Sequence, residues 1–163
     1  MTAIKIILVF AILSGALTVT RAYRSFCEKR IASGEALLDF LKFRGSRISL
    51  FMSPKSEICR NYSNPILEEC GFLPELSRGK SFSDAFASAR SALSLSDAAN
   101  EKMERIFSEM GKGYLADERE KQGELERELK ELFSAEREEL KRSVKVKTTL
   151  ILSAALGAVI LLL

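Results

Sequence analysis

The 163-residue chain has no histidine and no tryptophan. Without histidine it lacks the side chain that most often moves protons near neutral pH, and with it the commonest metal ligand. One-signed charge is also missing. Twenty-five basic residues face 22 acidic ones for a net charge of +3, and no block of one sign is long enough to track a phosphate backbone. Nucleic acid is thereby excluded as the main partner. Cysteine is scarce: Cys27, Cys59 and Cys70. An odd number at these spacings is neither a disulfide framework nor a zinc pattern. The three read as reduced, structural thiols of a cytosolic segment.

What the chain does have is unevenly placed. Apolar residues make up 47% of it and charged residues 29%, with the charge in the middle and both ends almost free of it. Residues 4–20, IKIILVFAILSGALTVT, carry only Lys5 at their start. At about 1.5 Å per residue such a helix reaches about 25 Å, enough to cross a bilayer with Lys5 snorkelling to the headgroups. A cleaved leader is the competing reading, but Thr18-Val19-Thr20 and Thr20-Arg21-Ala22 are poor cleavage sites. Residues 148–163, TTLILSAALGAVILLL, carry no charge. A helix apolar on every face needs protein or lipid around it, and the rest of the chain lacks the apolar surface to supply that cover. Arg21, Arg24, Lys29 and Arg30 follow the first span, while Lys141, Arg142, Lys145 and Lys147 precede the second. The positive-inside rule then places residues 21–147 in the cytoplasm and both chain ends across the membrane.

The middle segment reads as all-α, with the first helix continuing out of the membrane. Phe26, Ile31, Leu37, Leu38, Leu41 and Phe43 form its apolar stripe, which Phe40 thickens, and Gly45 is the expected break. Ile48, Leu50, Phe51 and Met52 form an apolar cluster ended by Ser53-Pro54. Proline suits a first helical turn and serine or asparagine before it can cap. A helix is therefore expected from Pro54 to Tyr62 and another from Pro65 to about Cys70, stopped by Gly71. Gly79-Lys80-Ser81 invites a phosphate-loop reading, but that motif needs a glycine where Pro74 stands. The structural reading has Gly79 in a turn, Ser81 capping a helix from Phe82 to about Leu93, and Asp84 as the acid three residues on. Ser94 with Asp97 is read as a second such cap. Met103, Ile106, Phe107, Met110 and Tyr114 recur at helical spacing as core positions.

Beyond Asp117 the chain is rich in Glu, Lys and Arg, over a stripe of Leu125, Leu129, Leu132, Leu140 and Val144 with Phe133 beside it. No proline interrupts residues 117–163, so a single helix into the second span is open to it, with Gly123 its weakest point. No strand pattern competes. The residues assemble no catalytic constellation, metal set or cofactor site, because serine lacks a histidine to activate it and the carboxylates are dispersed on helix faces. The chain therefore reads as a non-enzyme.

Several motifs in order carry a resemblance. They are the two terminal spans, Phe51-Met52-Ser53-Pro54 after a helical run, Gly79-Lys80-Ser81-Phe82-Ser83-Asp84-Ala85, Leu93-Ser94-Leu95-Ser96-Asp97, Gly111, and Gln122 in a charged helix leading to an Ala-Leu-Gly-Ala-type last span. This layout resembles the stage III sporulation protein AB family over nearly the whole chain. The resemblance implies a cytosolic helical domain similar to the type II secretion F-type platform. It also implies a place in the channel complex between mother cell and forespore, beside a cytosolic ATPase and other membrane subunits. A homo-oligomer is compatible with it. The candidate partner-contact residues are Phe51, Met52, Ser53, Pro54, Gly79, Ser81, Phe82 and Asp84, together with the stripe of the 117–144 helix. Three other readings remain open at this point. One is an exported, membrane-anchored protein with a cleaved leader, another a membrane-bound enzyme using a Ser–Lys pair, and the third a generic two-span helical adaptor.

Overall fold

The computed structural model describes the backbone of residues 2–51, 61–110 and 115–162, and the side chains of residues 4–47, 61–110 and 123–162. The described residues form six helices and no strand. They are α1 (Thr2–Phe51), α2 (Pro65–Glu69), α3 (Phe72–Ser77), α4 (Phe82–Leu93), α5 (Asp97–Glu109) and α6 (Leu115–Leu162). Residues divide into two compact units, one of Lys29–Glu136 and one of Met1–Glu28 with Arg137–Leu163.

Local signals set most helix ends in the larger unit. The Asn64 side chain accepts from the backbone N–H groups of Ile66 and Leu67 at 3.0 and 3.3 Å, and Pro65 occupies the first helical position. Gly71 follows with φ 88°, a left-handed conformation that a Cβ would strain. It opens α3, a helix for which the sequence pattern gave no signal. Pro74 sits in the first turn of α3, where its missing N–H would have had no helical partner in any case. At the other end of α3, Lys80 N–H bonds Glu75 C=O at 3.2 Å and Gly79 N–H bonds Leu76 C=O at 3.0 Å. With Gly79 at φ 93°, this is the Schellman arrangement that closes a helix on a left-handed glycine.

Ser81 then starts α4 as expected. Its hydroxyl oxygen accepts from Asp84 N–H at 3.0 Å and its proton goes to the Asp84 carboxylate at 2.6 Å. The second cap falls on Ser96, not Ser94. Ser94 takes a left-handed φ of 55° to end α4, which leaves the Ser96 hydroxyl to accept from Ala99 N–H at 3.0 Å. Leu95 between them is buried. The expected break at Gly45 does not occur either, since α1 runs on to Phe51. One glycine costs a helix about 1 kcal/mol, and the two residues that precede this one are held by packing. Phe43 meets the Tyr62 ring at 5.0 Å, and the Arg44 guanidinium lies 5.3 Å from the Phe82 ring centre. The expected helix from Pro54 falls mostly outside the described residues, and Asn61–Asn64 at its far end is not helical.

The core of this unit is aromatic at its centre. Phe40 of α1 meets Tyr62, Phe72 and Phe82 at 5.3, 5.2 and 6.1 Å, and Phe107 of α5 meets Phe72, Phe82 and Phe86 at 5.4, 6.2 and 5.3 Å. Leu37, Leu67, Leu93, Met103, Ile106 and Leu129 complete the fully buried set. Fully burying a side chain of this size contributes about 1.5–3 kcal/mol. On α6, Leu129 is buried while Leu125, Leu132 and Phe133 pack against the core at its edge.

In the second unit, α1 and α6 are joined through Tyr23, whose hydroxyl shares a hydrogen bond with Ser143 Oγ at 2.9 Å. The apolar segments here stay uncovered: Ile4 is 71% exposed, Phe10 70%, Ile160 72% and Leu161 90%. Both α1 and α6 contain stretches long and apolar enough to cross a membrane. Thr18 and Thr149 turn their hydroxyls back to the carbonyls of Ser14 and Lys145, at 2.8 and 2.9 Å, so these polar groups are satisfied within their own helix. The expected helical character of both end segments and the continuity of α6 through Gly123 are observed.

Two glycines should respond in opposite directions. A Cβ on buried Gly34 would lie 2.8 Å from the Phe133 ring, whereas one on Gly123 would meet nothing within 4 Å. Gly34→Leu is expected to destabilise the fold by about 1–3 kcal/mol through overpacking. Gly123→Ala is expected to stabilise it by up to about 1 kcal/mol. Thermal unfolding of the detergent-solubilised chain, followed by circular dichroism, checks both.

Candidate partner-contact surfaces

Four of the candidate contact residues come together in one turn. Gly79 lies at the end of α3, Ser81, Phe82 and Asp84 at the start of α4. Gly79, Ser81 and Asp84 are exposed, and each has a local role in reversing the chain or starting the helix. Phe82 is half-buried and turned inward, between Phe40, Phe107 and the Arg44 guanidinium. The outward chemistry of the turn is therefore carried by its neighbours. Glu75 holds Arg78 and Lys80 at 2.5 Å each. The Lys80 ammonium first, and the Arg78 guanidinium after it, hold the Glu75 carboxyl below the usual carboxylate range. Of the other candidates, Met52, Ser53 and Pro54 lie outside the described residues, and Phe51 is the last residue of α1.

The α6 stripe is divided between the two units. In its Leu125–Phe133 portion the apolar side chains face the core, so that portion is not open to a partner. What α6 presents outward there is charge. Glu128 meets Lys102 of α5 at 2.5 Å and Arg105 at 4.0 Å. The bond to Lys102 is the main reason that the Glu128 carboxyl also titrates below the usual range.

Two polar features escaped the sequence reading. Arg44, which no sequence signal singled out, is only 5% exposed and lies against Phe82. The Ser96 hydroxyl that caps α5 also donates to the Glu136 carboxylate of α6, and Arg30 of α1 lies 3.5 Å from the same carboxylate. Helices α1, α5 and α6 thus share one partly buried polar junction inside the larger unit. Neither feature has a signal in the periodicity, because a charge at a helix flank looks the same whether it faces water or a neighbouring helix. Among the described residues no group of three His, Cys, Asp or Glu side chains is placed to hold a metal ion.

The geometry separates folding roles from contact roles. Phe82→Ala is expected to cost roughly 2–4 kcal/mol of stability, and Ser81→Ala about 1 kcal/mol through the lost cap; denaturant titration of the full chain measures both. The two displaced carboxyls give an acid dependence. Their folded values lie below the ordinary one, so their stabilising effect is complete above about pH 4.3 and fades as pH falls through the folded values. The double variant E75Q/E128Q should therefore melt below the wild type at neutral pH. The gap should close in strong acid and shrink at high salt, because Glu128 and the Arg78 and Lys80 partners of Glu75 are solvent-exposed.

No family model, curated protein or solved structure matches the chain.

Proposed function

We propose that the chain is a structural platform subunit of a membrane complex. Its helical unit would stand on the cytoplasmic side and dock a cytosolic ATPase to other membrane subunits. The complex envisaged is the sporulation channel between mother cell and forespore, in line with the order of motifs that resembles the stage III sporulation protein AB family. The reading gives the chain no catalytic step. The observation that carries it is that α1 and α6 each combine an uncovered apolar segment with residues of a packed core: Leu37, Phe40 and Leu41 on α1, and Leu129 on α6. Exposed Ile, Leu and Phe side chains on all sides of a helix are stable in lipid and unstable in water. The basic residues Arg21, Arg24, Lys141, Arg142, Lys145 and Lys147 at the inner edges of those segments support a cytoplasmic bundle.

The two native thiols among the described residues are poor reporters of sidedness here. Cys27 is 2% exposed, and burial raises the pKa of half-buried Cys70. Exposed Ser88 and Ser108 are better positions. Ser88→Cys and Ser108→Cys should add no label over the parent chain when intact cells meet a membrane-impermeant maleimide. Both should label after permeabilisation. Labelling in intact cells would put the bundle outside and end the motor-docking reading. With the side established, recovery of the ATPase with the full-length chain from detergent extracts of sporulating cells tests the partner directly, and its loss from those extracts counts against docking.

A further inference from the structure

Cations gather at one level of the unit formed by Met1–Glu28 and Arg137–Leu163. The tie between Tyr23 and Ser143 fixes that level, and Lys147 places its ammonium 4.6 Å from the Tyr23 ring centre. Arg21 and Arg24 flank Tyr23 on α1, while Lys141, Arg142, Lys145 and Lys147 flank Ser143 on α6. At about 1.5 Å per residue, all six lie within about 6 Å of the tie along the helix axes. Their compensation is incomplete. Arg24 pairs with Glu28 at 2.8 Å and Lys141 with Glu138 at 3.2 Å. Arg21, Arg142 and Lys145 are exposed and have no ion-pair partner among the described residues. No acidic residue occurs in residues 1–27 or 140–163 to offset them.

We infer that this collar is a binding site for the phosphate of anionic phospholipid headgroups, with Arg21, Arg142 and Lys145 as its phosphate contacts and the Tyr23–Lys147 pair as its wall. The inference rests on the membrane reading above and adds a lipid class to it. Tyrosine and basic side chains at the edge of an apolar segment sit at headgroup level, where guanidinium and ammonium groups donate to phosphate oxygens. A zwitterionic headgroup brings its own cation beside its phosphate, whereas an anionic one leaves a net charge for the collar to neutralise.

The test uses the full chain reconstituted in phosphatidylcholine vesicles containing phosphatidylglycerol, with spin-labelled versions of both lipids reporting the motionally restricted shell. The wild type is expected to enrich phosphatidylglycerol over phosphatidylcholine roughly fivefold or more, and R21Q/R142Q/K145Q to bring the ratio close to one. R90Q/R105Q/R127Q removes the same charge from the other unit and should leave the enrichment in place. Equal loss in both variants would reduce the effect to net charge and overturn the site, as would equal enrichment in wild type and the collar variant. Excess inorganic phosphate should not displace the lipid, and displacement would make this a free-phosphate site instead. Carbonate washing separates the two readings. A chain washed out of the vesicles sinks the membrane reading and this one together, whereas a retained chain without lipid preference sinks this one alone.

Discussion

The contact between Phe40 and the aromatic rings of the short helices is the interaction on which the larger unit depends. Helices α2 and α3 have five and six residues. Isolated helices of that length are not stable in water, because nucleation outweighs the few hydrogen bonds gained. They persist here because Leu67, Phe72, Leu73 and Leu76 are buried against side chains from longer helices. Phe40 and Phe107 divide the task, with Phe72 and Phe82 touching both. The caps at Asn64, Ser81 and Ser96 then determine where α2, α4 and α5 begin, as left-handed Gly71 does for α3, and so which residues reach that cluster.

How much of this was legible in the sequence depended on whether a local rule or a tertiary contact decided the matter. Asn64-Pro65 and Gly79 with Ser81 were readable because the side chain or the missing Cβ acts within four residues of itself. The same logic failed at Ser94 and Ser96. Ser94 has the acid Asp97 three residues on and Ser96 has only Ala99 there, yet Ser96 is the cap, because the choice follows from how α4 ends, which no local rule states. At Gly45 the propensity argument was sound but too small to prevail against the packing of Phe43 and Arg44 just before it. Helix α3 was missed because Pro74 resembles a breaker until its position in the first turn is known. Of the candidate contacts, Gly79, Ser81 and Asp84 lie in the turn and cap that the local pattern indicated, and all three are exposed. Phe82 was singled out by the same motif, yet its ring belongs to the core.

The polar junction of Arg30, Glu136 and Ser96 has a different kind of importance. A carboxylate near the N-terminus of α5 is favourably placed with respect to the helix dipole, and its second neighbour is a guanidinium. Apolar contacts tolerate sliding of one helix along another, whereas a shared hydroxyl and guanidinium around one carboxylate do not. This junction therefore fixes the register of α1, α5 and α6 within the unit, which Leu129 and its neighbours alone would leave looser. The close approach of Gly34 to Phe133 acts in the same sense, since only a residue without a Cβ accommodates the ring at that point.

The displaced titrations all move away from neutrality. Glu75 and Glu128 ionise more readily than ordinary carboxyls, while Cys70 and Tyr62 give up their protons less readily than usual, in both cases chiefly through burial. No histidine occurs in the sequence, and these shifts widen the interval around neutrality in which these four groups keep one protonation state. A change of one pH unit about neutrality leaves these four groups in the same charge state. At those positions the unit is a passive fixture with respect to protons, held by its contacts and indifferent to the exchange of hydrogen ions around it.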